Sequence, residues 1–321
     1  NENPNPPVTG LLAALSDQLA EVNRYPDMFA TELTAAIAER IGVDRAQVVT
    51  GNGSVAVLAH VLMALVEGGD EVVYPWRSFE AYPIAVGTSG ADSVRVPLTP
   101  DARHDLPALA DAITKRTKVI ILCSPNNPTG PSLTEAEVRD FLAAVPSRVA
   151  VVLDEAYREY VRTEGAVDGV ALLREYPNLI VLRTFSKAWG LAGIRVGYAV
   201  GSPGLISGIR ACSTPFGTNS LAQHAALAVL GREEEILARV AGTVSERERV
   251  LDAVRAQGWE VPESDGNFFW LALGEATGRF VADAADAGLL VRGFNGEGVR
   301  ITIGEPEAND AVIEFLGDWR R

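Results

Sequence analysis

Between about residues 48 and 200 the chain alternates short apolar blocks with polar turns rich in glycine and proline. The blocks at 71–74, 93–96, 118–123, 149–153, 179–182 and 195–200 have the length of strands, and most are continuously apolar, the pattern of strands buried on both faces. Helical spacing of apolar residues lies between some of them, over 55–66, 106–113 and 134–144. This alternation predicts an α/β domain with a mostly parallel sheet. Ahead of it, residues 1–10 hold three prolines and read as an extended arm, followed by helical patterns over 11–22 and 29–41. Beyond about residue 203 the pattern turns helical, with a long amphipathic stretch over 220–256. Strand-like segments at 266–273, 289–292 and 299–303, with helices, then suggest a smaller α+β unit.

Composition narrows the function classes. With 321 residues, 47% apolar and 22% charged, the chain has the make-up of a globular enzyme of one large or two smaller domains. A net charge of −14 argues against nucleic acid or an anionic membrane surface as partner, since both are polyanions. Two cysteines, Cys123 and Cys212, provide no disulfide framework and read as free thiols in a reducing cytoplasm. No apolar run reaches membrane-spanning length and no signal peptide is recognised.

Lysine is scarce: of 28 basic residues only Lys115, Lys118 and Lys187 are lysines. Arginine stays protonated with delocalised lone pairs and cannot form a Schiff base, so a cofactor held as an imine has three candidate attachment points. Lys115 and Lys118 flank a polar turn. Lys187 instead follows the apolar block 179–182 and the hydroxyls Thr184 and Ser186, ahead of a glycine-punctuated loop that ends at Arg195.

Three further motifs sit where α/β proteins bind ligands. Gly51-Asn52-Gly53-Ser54 lies between a strand and a helix, where small residues let backbone N–H groups approach an anion. By itself it equally describes a plain turn. Ser124-Pro125-Asn126-Asn127-Pro128-Thr129-Gly130 follows one strand, and Asp154-Glu155-Ala156-Tyr157 follows another. Acidic residues at such a position are often helix caps, so this last motif is weak alone.

Their joint order resembles the fold-type-I pyridoxal-phosphate aminotransferases. Asn1-Glu2-Asn3-Pro4, Arg24-Tyr25-Pro26-Asp27 and Arg183-Thr184-Phe185-Ser186-Lys187-Ala188 look like the histidinol-phosphate aminotransferase branch. Gly53-Ser54-Val55 and Trp76-Arg77-Ser78-Phe79-Glu80-Ala81-Tyr82-Pro83 are most similar to its aromatic, phenylalanine-type subgroup. The resemblance covers essentially the whole chain. It implies a large domain with a mostly parallel seven-stranded sheet flanked by helices (24–210), and a smaller α+β domain (211–321 with the arm 1–23).

The resemblance also implies roles. Lys187 would bind the cofactor covalently and shuttle the substrate proton, and Asp154 would keep the pyridine nitrogen protonated. Tyr157 and Asn127 would hydrogen-bond the ring 3′ oxygen, and Phe79 would stack on the ring. Gly53, Ser54, Thr184, Ser186 and Arg195 would hold the cofactor phosphate, joined by Tyr25 from the other subunit of a homodimer. Arg300 would clamp the substrate carboxylate. Amino donor and 2-oxo acid acceptor are the implied small-molecule partners, and no metal is implied. Asn5 stands where the branch usually has a tyrosine that contacts a substrate phosphate, and Val55-Ala56 replaces its usual acidic pair. Arg292, the other arginine associated with that phosphate, is retained. The balance favours an aromatic amino acid as donor. A histidinol-phosphate transaminase, a decarboxylase of the threonine-phosphate type, and a non-catalytic cofactor-binding regulator remain as alternatives. The last lacks its DNA-binding segment and basic patch here.

Overall fold

The computed structural model describes residues 1–319. Its main sheet has seven strands in the order β1-β7-β6-β5-β4-β2-β3. These are β1 (Val48–Gly51), β2 (Glu71–Trp76), β3 (Asp92–Pro97), β4 (Thr117–Cys123), β5 (Ala150–Asp154), β6 (Leu179–Thr184) and β7 (Gly197–Gly201). Only β7 runs against its neighbours, pairing antiparallel with β1 and β6. The central strands alternate between two cores. Ile120, Leu122, Val151, Leu153, Leu179 and Val181 face one side, and Val119, Ile121, Val152, Ile180 and Leu182 face the other. Both faces are covered by helices, which is why these strands read as continuous apolar runs. Each such fully buried side chain contributes about 1.5–3 kcal/mol.

Helices α1 (Leu11–Leu19), α2 (Thr31–Ile41), α3 (Ser54–Leu65), α4 (Ala81–Ser89), α5 (Leu106–Asp111), α6 (Glu135–Ala144), α7 (Gly169–Leu172) and α8 (Pro203–Ala211) accompany this sheet. Helix α6 starts at a capping box in which Thr134 and Glu137 satisfy each other's backbone N–H groups. The expected stretch 220–256 is two helices, α9 (Ser220–Leu230) and α10 (Glu233–Ala256). The chain breaks at Gly231-Arg232. Helix α10 then opens on Glu233, Glu234 and Glu235, carboxylates that favour a helix N-terminus.

The second sheet is antiparallel, in the order β8 (Phe268–Ala272), β10 (Gly298–Thr302), β9 (Arg292–Phe294). Helices α11 (Thr277–Asp286) and α12 (Pro306–Trp319) pack with it around Phe269, Leu271, Phe280, Val299, Ile301 and Leu316. The change from one core to the other falls within α10. Ile236, Val240 and Val244 belong to the core of the large sheet, and Val250, Leu251 and Val254 to that of the small one. The expected boundary after residue 210 is therefore not where the core changes, since α9 also buries Ala222, Ala225, Ala226 and Val229 in the core that the large sheet shares.

The arm is extended, as its prolines require, and crosses the gap between the sheets. Asn3 Nδ2 donates to the carbonyls of Lys187 (3.0 Å) and Ala188 (3.1 Å), and Asn267 Nδ2 donates to the Glu2 carbonyl (3.2 Å). Strand β7 begins at Gly197, not at the expected 195. Arg195 has φ of 65°, a left-handed conformation that cannot continue into a strand.

Candidate active site

Five strands running the same way bring the segments that follow them to one edge of the large sheet, where open α/β sheets place their ligands. A cleft of about 380 Å³ opens there. It is lined by Ser54 after β1, Phe79 after β2, Cys123 at the end of β4 and Asn127 after it, Asp154 at the end of β5 and Tyr157 after it, and Thr184 at the end of β6 with Ser186, Lys187 and Arg195 after it, closed over by Asn1 and Glu2.

Asp154 is the last residue of β5 and is buried. Its Oδ2 accepts a hydrogen bond from Tyr82 Oη (2.9 Å) and its Oδ1 one from the Ala156 N–H (3.2 Å). Burial raises its pKa to about 6, against the pull of those donors. Lys187 lies in the loop after β6, with Nζ 5.6 Å from the centre of the Tyr157 ring and 3.2 Å from the Asn1 carbonyl. Burial first, then the positive charge of Arg300, lowers its pKa to about 8, so the neutral amine is more available near physiological pH than in an ordinary lysine. Tyr157 is buried edge-on against Phe268 and accepts a hydrogen bond from the Asn1 side-chain amide. Burial pushes its phenol up.

At one end of the cleft Gly53 has φ of 83°, and a Cβ there would lie 2.5 Å from a guanidinium nitrogen of Arg195. Only glycine allows Arg195 to reach across the start of α3. Free N–H groups at that helix start, the hydroxyls of Ser54, Thr184 and Ser186, and the Arg195 guanidinium form a cup suited to a phosphate. On the other side, Arg300 Nη1 donates to Asn127 Oδ1 (2.6 Å), while its Nε is buried without a partner. That orphaned donor suits an incoming carboxylate.

Three expected site residues lie outside this cleft. Asn5 turns onto Asn3, donating from its side chain to Asn3 Oδ1 (3.0 Å). Arg292 is exposed and holds both oxygens of Glu80 (2.9 and 3.0 Å). Tyr25 is 83% exposed, its ring 4.8 Å from that of Phe216. Conversely, the structure adds residues that the sequence reading passed over. Tyr82 supports Asp154, and Asn126 ties Ser78 (2.7 Å), Thr129 (2.7 Å) and the Arg77 carbonyl (3.1 Å) together beneath Asn127. Cys123 faces the cleft, its thiol pushed up to about 12 by burial, and was detectable only as the last residue of an apolar block. Glu155, next to Asp154, points elsewhere: it pairs with Arg183 (2.7 Å) and accepts from the Gly169 N–H (2.7 Å). Among the described residues no cluster of three or more His, Cys, Asp or Glu could hold a metal ion, and no helix is long and apolar enough to cross a membrane.

A lysine amine, a buried carboxylate and a cup of hydroxyls, backbone N–H groups and a guanidinium thus lie together at the ends of the parallel strands. The chain belongs to the aminotransferase class I and II family, whose model matches residues 1–316. It is 53% identical to an aromatic amino acid aminotransferase of Streptomyces coelicolor over all of this chain and 89% of that one. A Streptomyces avermitilis enzyme of the same name is 52% identical over the same shares. Among solved structures, the histidinol-phosphate aminotransferase of Sinorhizobium meliloti in complex with pyridoxal 5′-phosphate superposes with a TM-score of 0.92 at 27% identity, covering 99% of this chain and 89% of that one.

Proposed function

We propose that the protein is a pyridoxal-phosphate-dependent aminotransferase that moves an amino group between an aromatic amino acid and a 2-oxo acid such as 2-oxoglutarate. The observation that carries this reading is the placement of the half-buried Lys187 amine in the same cleft as the buried Asp154 carboxylate. The cleft fits the cofactor. Asp154 would hold the pyridine nitrogen, Tyr157 and Asn127 the ring 3′ oxygen, Phe79 the ring face, and Gly53, Ser54, Thr184, Ser186 and Arg195 the phosphate. When bound, pyridoxal phosphate supplies the electron sink that lets a substrate Cα give up its proton.

The chain supplies the rest. The Lys187 amine, neutral when it acts, would accept the proton from the substrate Cα and hold it for return. Asp154, ionised above about pH 6, keeps a proton on the ring nitrogen. Arg300 orients the substrate through its carboxylate, using the donor now left without a partner. The unit is a homodimer in which Tyr25 completes the partner's phosphate cup. Exposed apolar side chains at Leu12, Leu19, Val22, Met28 and Phe29, in the same N-terminal stretch as Tyr25, support that reading.

The aromatic donor is supported by the identity of about 50% to aromatic enzymes and by Asn5, which brings no phenol to the site. Phenylalanine or tyrosine with 2-oxoglutarate is expected to give a higher kcat/KM than histidinol phosphate. A tenfold preference for histidinol phosphate would overturn the aromatic assignment and leave the fold and cofactor chemistry standing.

A further inference from the structure

Arg292 and Arg300 are directly opposed across β9 and β10, so their side chains share one face of the small sheet. Arg300 reaches the cleft through Asn127. Arg292, beside it, is taken up by Glu80, the residue after the cleft-lining Phe79. The same loop and hairpin are fastened a second time, with charges reversed, by Arg77 Nε donating to Glu297 Oε2 (2.7 Å). The Arg77 guanidinium also stacks 4.0 Å from the Trp76 ring, which holds it in place. The Glu80 carboxylate therefore stands on a fixed frame beside the only two arginines that the small sheet's β9 and β10 present.

We propose that Glu80 is a specificity-determining residue: by occupying Arg292 it withholds that guanidinium from the substrate side chain and selects an uncharged aromatic donor over a phosphorylated one. This rests on the aminotransferase reading above. A phosphate monoester carries about −1.5 to −2 charge at pH 7. To use Arg292 it must either displace Glu80 or lie against its carboxylate, and like-charge juxtaposition is strongly unfavourable at a recognition site. An aromatic ring meets neither obstacle.

The test is the donor half-reaction of the holoenzyme in single turnover, run without acceptor so that the distal carboxylate of 2-oxoglutarate does not intrude. The readout is the ratio of second-order rate constants for L-histidinol phosphate and L-phenylalanine. Glu80→Gln should move this ratio towards the phosphorylated donor on the order of tenfold, the size of one charge-assisted contact regained. Glu80→Ala should do the same, so that a folding defect in one variant does not decide the matter. In an Arg292→Gln background the shift should vanish. A ratio within twofold of wild type in both single variants, or an equal shift without Arg292, overturns the proposal. The wild-type preference, read before any variant is made, tests the functional assignment separately.

Discussion

Replacing Tyr82 by phenylalanine removes one hydroxyl from a fully buried ring and isolates its effect on Asp154. In the cofactor-free protein burial lifts the Asp154 pKa from 3.8 to about 6 even with the Tyr82 hydrogen bond present. That rise, about two pH units, corresponds to about 3 kcal/mol disfavouring the carboxylate. A hydrogen bond to a charged group contributes about 1.5–3 kcal/mol, or about one to two pH units. Without it Asp154 should titrate higher still. Because the folded pKa lies above the unfolded one, this group's stabilisation is fully present below pH 3.8 and is lost as pH rises through the folded value. In wild type the loss is nearly complete a little above pH 6. In Tyr82→Phe it should continue to higher pH. Thermal melting of the two cofactor-free proteins should therefore nearly coincide at about pH 5 and diverge towards pH 8, by about 1.5–3 kcal/mol. At neutral pH the variant should also bind pyridoxal phosphate more weakly, since less of its Asp154 is ionised. Melting curves that keep the same separation from pH 5 to pH 8 would refute this account of how Asp154 is held.

Three other outcomes follow from the same geometry. Asp154→Asn should lower turnover by at least about 10²-fold, about 3 kcal/mol of barrier, whereas Glu155→Gln should lower the melting temperature through Arg183 with a much smaller effect on rate; equal rate losses would remove the specific role of Asp154. Cofactor uptake by the cofactor-free protein should accelerate with pH through a midpoint near 8 and level off above it, because only the neutral Lys187 amine attacks; a rate still climbing about tenfold per pH unit at pH 9 would contradict its lowered pKa. Mixing inactive Lys187→Ala with inactive Tyr25→Ala chains should restore part of the activity through one intact hybrid site, and a fully active monomer in sedimentation would rule out shared sites.

Much of this site is legible in the sequence because its residues sit at the ends of apolar blocks. Strands β4, β5 and β6 are buried on both faces, so they stand out as continuous hydrophobic runs; Asp154 ends β5, and Asn127 and Lys187 follow β4 and β6 within a few residues. What depended on tertiary contact stayed hidden. Helix α4 buries only Tyr82, Ala85 and Val86 and carries Pro83 and Gly87, so its periodicity is faint and Tyr82 read as part of a motif without a role. The left-handed turn at Arg195 follows from its reach past Gly53, a contact between distant segments. The pairing of Glu80 with Arg292 joins residues 212 positions apart, and no local pattern distinguishes it from a free arginine. The break between α9 and α10 fell inside one amphipathic pattern because both helices bury one face against the same core.

The central claim is that Lys187 is the group on which the chemistry turns, and one substitution tests it most directly. Lys187→Ala keeps the phosphate cup of Gly53, Ser54, Thr184, Ser186 and Arg195, so the variant should still bind pyridoxal phosphate, reversibly and without the covalent link. It should have no measurable transamination of phenylalanine with 2-oxoglutarate. Lys115→Ala and Lys118→Ala should match wild type. Transamination by Lys187→Ala at a rate comparable to wild type would contradict the account at its root.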